Sequence, residues 1–216
     1  MNADYIARKE RWARKMAGKE SSVPRSEDRL PPGQHLVTDF PVLDLGIKPD
    51  VPPDDWRLQI LGEVDEPKTF TLEELTALPR FTDVSDFHCV TTWTQFDMKF
   101  SGVAFFTIAD LVRPRQSAKY LIMQSYDGYS TSMPLDAMLD DDVMIATHWN
   151  DLPLDLEHGG PARILVPKRY AWKSAKWIRE LRFSAEDELG FWEKRGYSNT
   201  ADPHTNDRFA TQPKLP

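Results

Sequence analysis

A single cysteine, Cys89, occurs in the 216 residues, so no disulfide can form within the chain and nothing demands an oxidising compartment. Long apolar runs are missing as well. The opening stretch "MNADYIARKERWARKMAGKE" has neither the apolar core of a signal peptide nor the length of a membrane span, which makes cytoplasm the expected compartment. The five histidines are scattered and lack the paired spacing of a zinc site. Positive charge is in deficit: 27 Lys and Arg against 34 Asp and Glu leave a net charge of −7, which argues against a general binder of nucleic acid or anionic membrane. Glycine is scarce beside proline, 10 against 17, a balance that suits stiff loops and short strands.

What is present reads as an ordinary soluble chain, with 40% hydrophobic and 28% charged residues, long enough for one full core. The spacing of Ile6, Trp12, Ala13 and Met16 predicts a basic helix over Asp4 to Lys19, so 1–20 reads as an N-terminal arm that either packs on the domain or docks a partner. Residues 21–34 form a polar, proline-bearing linker, 35–209 the main domain and 210–216 a tail. Within the domain, "WRLQILG", "YLIMQS", "YSTSM", "VMIATHW", "ARILVP" and "WIRELRF" are strand candidates, and "WNDLPL" fits a hairpin connection. "TLEELTAL", with Thr71 and Glu74 in capping-box spacing, "TIADLV" and "PLDAML" are short helices. Long helices do not alternate with the strands, so the fold class is α+β, a strand-rich mixed-sheet domain.

Cys89 lies in "DFHCVTTW", which reads as a buried strand. A free cysteine there is commonly a small buried hydrophobe. A nucleophile needs a base, but His88, as the adjacent strand residue, points to the opposite face. The other reading is a thiolate that completes the coordination of a metal whose remaining ligands come from elsewhere. A second segment bears on this: between Arg163 and Arg179 lie six basic residues and no acid, interleaved with Tyr170, Trp172 and Trp177. Gly159, Gly160, Ser174 and Ala175 allow a ligand close to backbone N–H groups, and Arg163, Lys173 and Lys176 offer charge to a phosphate. A structural strand with a basic edge is the alternative.

The segments "HCVTTW", "YDGYSTSMPL", "HGGPARILVPKRYAWKSAKWI" and "GFWEKRGYSNTADPHTNDRF" occur in this order over Leu30 to Phe209. Together they resemble the molybdopterin domain of the sulfite oxidase family, most closely its small bacterial members related to the catalytic subunit of methionine sulfoxide reductase. The resemblance implies a compact mixed fold and one molybdenum held by one pterin dithiolene and by Cys89, whose soft thiolate suits the metal. It implies cofactor contacts from Ser125, His158 and Arg163, and a turn of Ser174, Ala175 and Lys176 over the cofactor phosphate. Thr38 to Leu43 would lie near the metal. Ala171, Thr92, Ser198 and His204 depart from the family pattern, and three of these departures bear on substrate choice. The implied activity is two-electron oxygen-atom transfer on a small substrate such as sulfite or a sulfoxide, with Arg163, Lys168 or Arg169 attracting an anion. No haem is expected in this chain, so electrons would pass through a separate protein or a diffusible carrier. A molybdopterin carrier without turnover is the alternative from another class, and a cofactor-free thiol enzyme is a third.

Overall fold

The structure is a computed structural model that describes residues 29–211. The expected arm at Asp4 to Lys19 and most of the tail lie outside the described residues. Among the described residues eleven strands run in chain order: β1 (His35–Leu36), β2 (Arg57–Gly62), β3 (Lys68–Thr71), β4 (Arg80–His88), β5 (Trp93–Ala104), β6 (Tyr120–Ser125), β7 (Ser130–Pro134), β8 (Met144–Trp149), β9 (Leu152–Pro153), β10 (Arg163–Leu165) and β11 (Ile178–Ser184). Three short α-helices among the same residues interrupt them: α1 (Leu72–Thr76), α2 (Phe105–Val112) and α3 (Leu135–Met138). One sheet has the order β1-β5-β8-β10, with β4 on β5 and β9 on β8, and the other is β3-β2-β11-β6-β7. Parallel pairs (β1 with β5, β11 with β2) sit among antiparallel ones, so both sheets are mixed, and the fold is α+β as the sequence pattern predicts.

Local chemistry explains the elements. Glu74 N–H donates to Thr71 Oγ1 at 3.1 Å and Thr71 N–H to Glu74 Oε2 at 2.8 Å, closing the capping box that starts α1. In "WNDLPL" Asn150 and Asp151 take φ of 47° and 65°, which turns β8 back into β9 with Trp149 opposite Leu152. Alternation sets the layers. On β8, Ile145 faces the large core between the sheets, where α2 also packs, whereas Met144 and Ala146 face a second cluster with Phe87, Cys89 and Trp93. A third, aromatic cluster holds Tyr170 and Trp172.

One expectation is corrected. Cys89 is not in a strand, because β4 ends at His88 and β5 begins at Trp93. Cys89 N–H donates to Trp93 O at 2.9 Å and Thr92 N–H to Cys89 O at 3.0 Å, enclosing a three-residue loop in which Thr92 has φ of 80°. That is a turn followed by a left-handed residue, the usual way to close such a hairpin.

Candidate active site

A cavity of about 330 Å³ opens where the three apolar clusters meet. Four parts of the chain wall it: the irregular stretch holding Phe40 to Leu45, the β4–β5 turn with Cys89 and Thr91, the β6–β7 turn with Asp127 and Tyr129, and the segment from β10 towards β11 with Arg163, Ser174, Ala175 and Lys176. Trp192 and Tyr197, beyond β11, complete it.

Cys89 is buried, and its Sγ accepts a hydrogen bond from Thr91 Oγ1 at 3.2 Å. Burial pushes the thiol up, while the Thr91 hydroxyl and the backbone N–H groups of Thr91 and Val90 work the other way. The turn thus places one hydroxyl donor on the sulfur and two amide dipoles near it, an arrangement suited to thiolate character once a cation arrives. His88 does not line the cavity. Its Nδ1 lies 3.0 Å from Thr94 Oγ1, its ring meets His204 edge-on, and burial lowers it to about 4, which keeps it neutral. A Cys89–His88 dyad is therefore not built, although the reason is the turn rather than strand alternation.

Arg163 is the main electrostatic feature. Nη1 donates to His158 O and Nη2 to Ser174 O, both at 2.9 Å, and the guanidinium lies 5.4 Å from the Phe87 ring centroid and 5.8 Å from that of Phe40. Among the described residues no carboxylate makes an ion pair with it. Burial alone lowers it to about 10, still charged at neutral pH. A buried cation without a counter-charge is costly, and an anion in the cavity would offset that cost. Lys176 donates to Glu157 O at 2.8 Å and sits over Trp177; burial, then the charge of Arg163, lowers it to about 8. Ser174 Oγ accepts from Val166 N–H at 2.9 Å, and Ala175 O accepts from Ile164 N–H, which fixes the turn. Gly159 has φ of 104°, and a Cβ there would stand 2.9 Å from Lys176 Cβ, so glycine is needed for this approach.

His158 lines the cavity, but both ring nitrogens are engaged, Nδ1 with Asp155 at 2.8 Å and Nε2 with Phe40 O at 2.9 Å. Its ring stacks on Phe40 at 4.2 Å, so it anchors the Phe40–Leu45 stretch over the cavity. Cys89, His158, Arg163, Ser174, Ala175 and Lys176 are thus brought together, whereas Ser125 is not among the lining residues: it is buried, with an Oγ that has no hydrogen-bond partner. Lys173 is corrected: its side chain is fully buried and bonds Glu193 Oε1 at 2.5 Å, Ser132 O and Asn199 Oδ1, leaving nothing for a phosphate. Lys168 is held by Asp140, Asp141 and Asp142, and Arg169 donates to Lys168 O; neither lines the cavity. The sequence reading missed Asp127, Tyr129, Trp192 and Tyr197, all of which fall inside the quoted segments, and named Trp172 only as one of the interleaved aromatics.

Among the described residues no three His, Cys, Asp or Glu side chains converge as a metal site. A metal at Cys89 must therefore bring its other ligands with it, as a dithiolene-bearing anionic cofactor does. The family model for the oxidoreductase molybdopterin binding domain matches residues 45–192. The chain belongs to this family. It is a sulfite-oxidase-like molybdopterin-binding domain and an oxidoreductase. It is 40% identical over 185 residues to the uncharacterized oxidoreductase YuiH of Bacillus subtilis, covering 84% of this chain and 92% of the relative. It is 31% identical over 143 residues to a putative protein-methionine-sulfoxide reductase subunit, YedZ1, of Azospira oryzae, covering 66% of this chain and 54% of that protein. The sulfane dehydrogenase SoxCD from Paracoccus pantotrophus shares the fold, with a TM-score of 0.62 and 23% identity over 78% of this chain and 47% of that one. The chain thus spans nearly all of the length of YuiH and about half of the length of the other two. No described helix is long and apolar enough to cross a membrane.

Proposed function

We propose that the chain uses one molybdenum, bound by a pterin dithiolene and by Cys89, to move an oxygen atom in a two-electron step on a small substrate such as sulfite or a sulfoxide. The observation that carries this reading is the pairing, in one cavity, of a lone thiol that accepts from Thr91 Oγ1 with a buried guanidinium that makes no ion pair with a carboxylate among the described residues. When bound, the cofactor supplies the two-electron exchange of oxygen at the metal.

The chain's residues do the rest. Arg163 and Lys176 meet the cofactor phosphate with charge-assisted hydrogen bonds, and Ser174 and Ala175 hold the turn that presents them. His158 keeps the Phe40–Leu45 stretch over the cavity, which limits water at the reacting face. Thr91 and the turn amides orient the Cys89 sulfur. Ser125 acts from behind, its N–H bonded to Tyr129 O, so that it braces the turn carrying Asp127 and Tyr129. A separate electron-transfer protein or a diffusible carrier supplies or removes electrons.

The test is metal content and ligand shell. Protein from a host that makes molybdopterin is expected to carry about one molybdenum per chain, and Cys89→Ser to exchange one sulfur neighbour for oxygen by X-ray absorption. An unchanged sulfur shell in that variant would remove Cys89 from the metal.

A further inference from the structure

The loop that carries Cys89 is held from behind by two side chains that lie far apart in the sequence and outside the cavity lining. Gln34, just before β1, donates from Nε2 to Cys89 O at 3.1 Å, and Arg208 donates from Nη1 to Val90 O at 2.7 Å. Local pairing brings both there. β1 runs parallel to the start of β5, and His35 N–H donates to Thr92 O at 2.9 Å, which sets Gln34 against the loop. On the other side Ser198 N–H donates to Arg208 O at 3.0 Å and Tyr197 pairs with Phe209, so the chain folds back and delivers the guanidinium. Asn206 Oδ1 fixes Arg208 Nε at 2.6 Å, and a Cβ on Gly33 would stand 3.6 Å from Nη2, so the two segments meet behind the loop.

Which carbonyls they bond decides what they do. A peptide unit joins the C=O of one residue to the N–H of the next, so the Cys89 carbonyl shares its peptide with the Val90 N–H, and the Val90 carbonyl with the Thr91 N–H. Those two N–H groups are the ones that favour the thiolate form of Cys89. A donor on a peptide oxygen polarises that peptide and strengthens its N–H as a donor in turn. Gln34 and Arg208 therefore act on the sulfur through the backbone, each through its own peptide. The Arg208 bond is the stronger, because its donor is charged, and both acceptors of the guanidinium are neutral oxygens.

We propose that Gln34 and Arg208 are positioning residues for the Cys89 sulfur, and that Arg208 in particular raises the reduction potential of a metal bound there. The proposal rests on the reading above that Cys89 ligates molybdenum. A sulfur that shares its electron density with polarised N–H groups donates less of it to the metal, and a positive charge close behind favours the reduced, more electron-rich state. In the step concerned the metal takes one electron from an external reductant such as dithionite, and no bond of the protein forms or breaks.

The experiment is a redox titration of molybdenum-loaded protein with dithionite and ferricyanide through dye mediators, followed by electron paramagnetic resonance of the metal. Arg208→Gln keeps a polar donor and removes the charge. At the midpoint of the unsubstituted protein it is expected to shift the ratio of oxidised to reduced metal about tenfold towards oxidised, a fall of about 59 mV for one electron. Arg208→Lys restores the charge and is expected to stay within about twofold of the unsubstituted protein. Gln34→Leu loses a hydrogen bond and no charge, and its ratio should move the same way by about threefold. An unchanged ratio in Arg208→Gln, or Arg208→Lys displaced as far as Arg208→Gln, would overturn the proposal and leave the oxidoreductase reading intact. If Arg208→Gln holds no molybdenum, Gln34→Leu decides, and an unmoved ratio there overturns the proposal. If neither holds metal, urea unfolding of the cofactor-free variants decides: unchanged stability ascribes the loss to the sulfur, as proposed, and a matching loss of stability makes both contacts structural and overturns it. Unsubstituted protein whose molybdenum shows no sulfur neighbour from Cys89 by X-ray absorption overturns the underlying reading and the proposal with it.

Discussion

Replacing Glu193 by Gln should be among the most damaging changes outside the cavity lining. The carboxylate and the Lys173 ammonium are fully buried and 2.5 Å apart. Lys173 spends its three protons on Glu193 Oε1, on Ser132 O at 2.9 Å and on Asn199 Oδ1 at 3.0 Å, and Glu193 Oε1 also accepts from Thr131 Oγ1 at 2.7 Å and Trp172 Nε1 at 3.3 Å. The amide preserves shape and an acceptor but strips the counter-charge from a lysine that burial already drives down. Breaking a buried pair from one side costs about 3–5 kcal/mol, and the retained acceptor places this case near the low end, about 3 kcal/mol. For a chain of this size that is a fall in Tm of roughly 6–12 °C. Thermal and urea unfolding measure it. The sign with pH is fixed as well: with the native lysine pKa depressed, the unfolded chain holds a proton that the native state lacks, so the deficit should shrink as pH rises from neutrality towards the unfolded value of about 10.4. A loss below about 0.5 kcal/mol, within the range of an ordinary surface substitution, would refute the reasoning.

Arg163→Met should lower molybdenum content sharply while changing the unfolding of cofactor-free protein much less, because it removes a desolvated charge that the cofactor is needed to balance; equal retention of metal in the variant would count against it. Gly159→Ala should have a similar effect on cofactor retention by pushing Lys176 out of place, and its release rate can be followed by gel filtration and metal analysis. Thr92→Gly should stabilise the chain by about 1 kcal/mol in urea unfolding, since a β-branched residue is held at φ of 80°. Cofactor retention should weaken above pH 8 as Lys176 loses its proton, while the same lysine's contribution to the stability of cofactor-free protein should improve between about pH 8 and its unfolded value; retention that does not respond to pH in this window would remove Lys176 from the phosphate.

Much of the fold was legible from alternation and from short apolar runs. The alternation in "WRLQILG" marks β2, the apolar runs in "YLIMQS", "VMIATHW" and "WIRELRF" mark β6, β8 and β11 closely, and Thr71 with Glu74 marks the start of α1. β5 was not singled out, although Phe96, Met98 and Phe100 alternate with Asp97, Lys99 and Ser101 within "WTQFDMKFSGVA". The sequence reading also moved Cys89 into a strand. "DFHCVTTW" reads as continuous β structure, and only a left-handed threonine, which sequence rules assign to Gly or Asn, shows that the chain turns there.

The cavity shows a sharper division. The sequence identifies basic residues but not which of them are already neutralised, because that depends on acids far away in the chain. Lys173 is met by Glu193, and Lys168 by Asp140 and its neighbours, whereas Arg163 is met by carbonyls and rings alone. Six basic residues run from Arg163 to Arg179, yet of these only Arg163 and Lys176 line the cavity, and Asp44 and Asp127, outside that run, act on Lys176 there and leave Arg163 without a counter-charge. The basic texture of the segment thus marks where an anion is needed only at the one residue whose acids the fold does not supply.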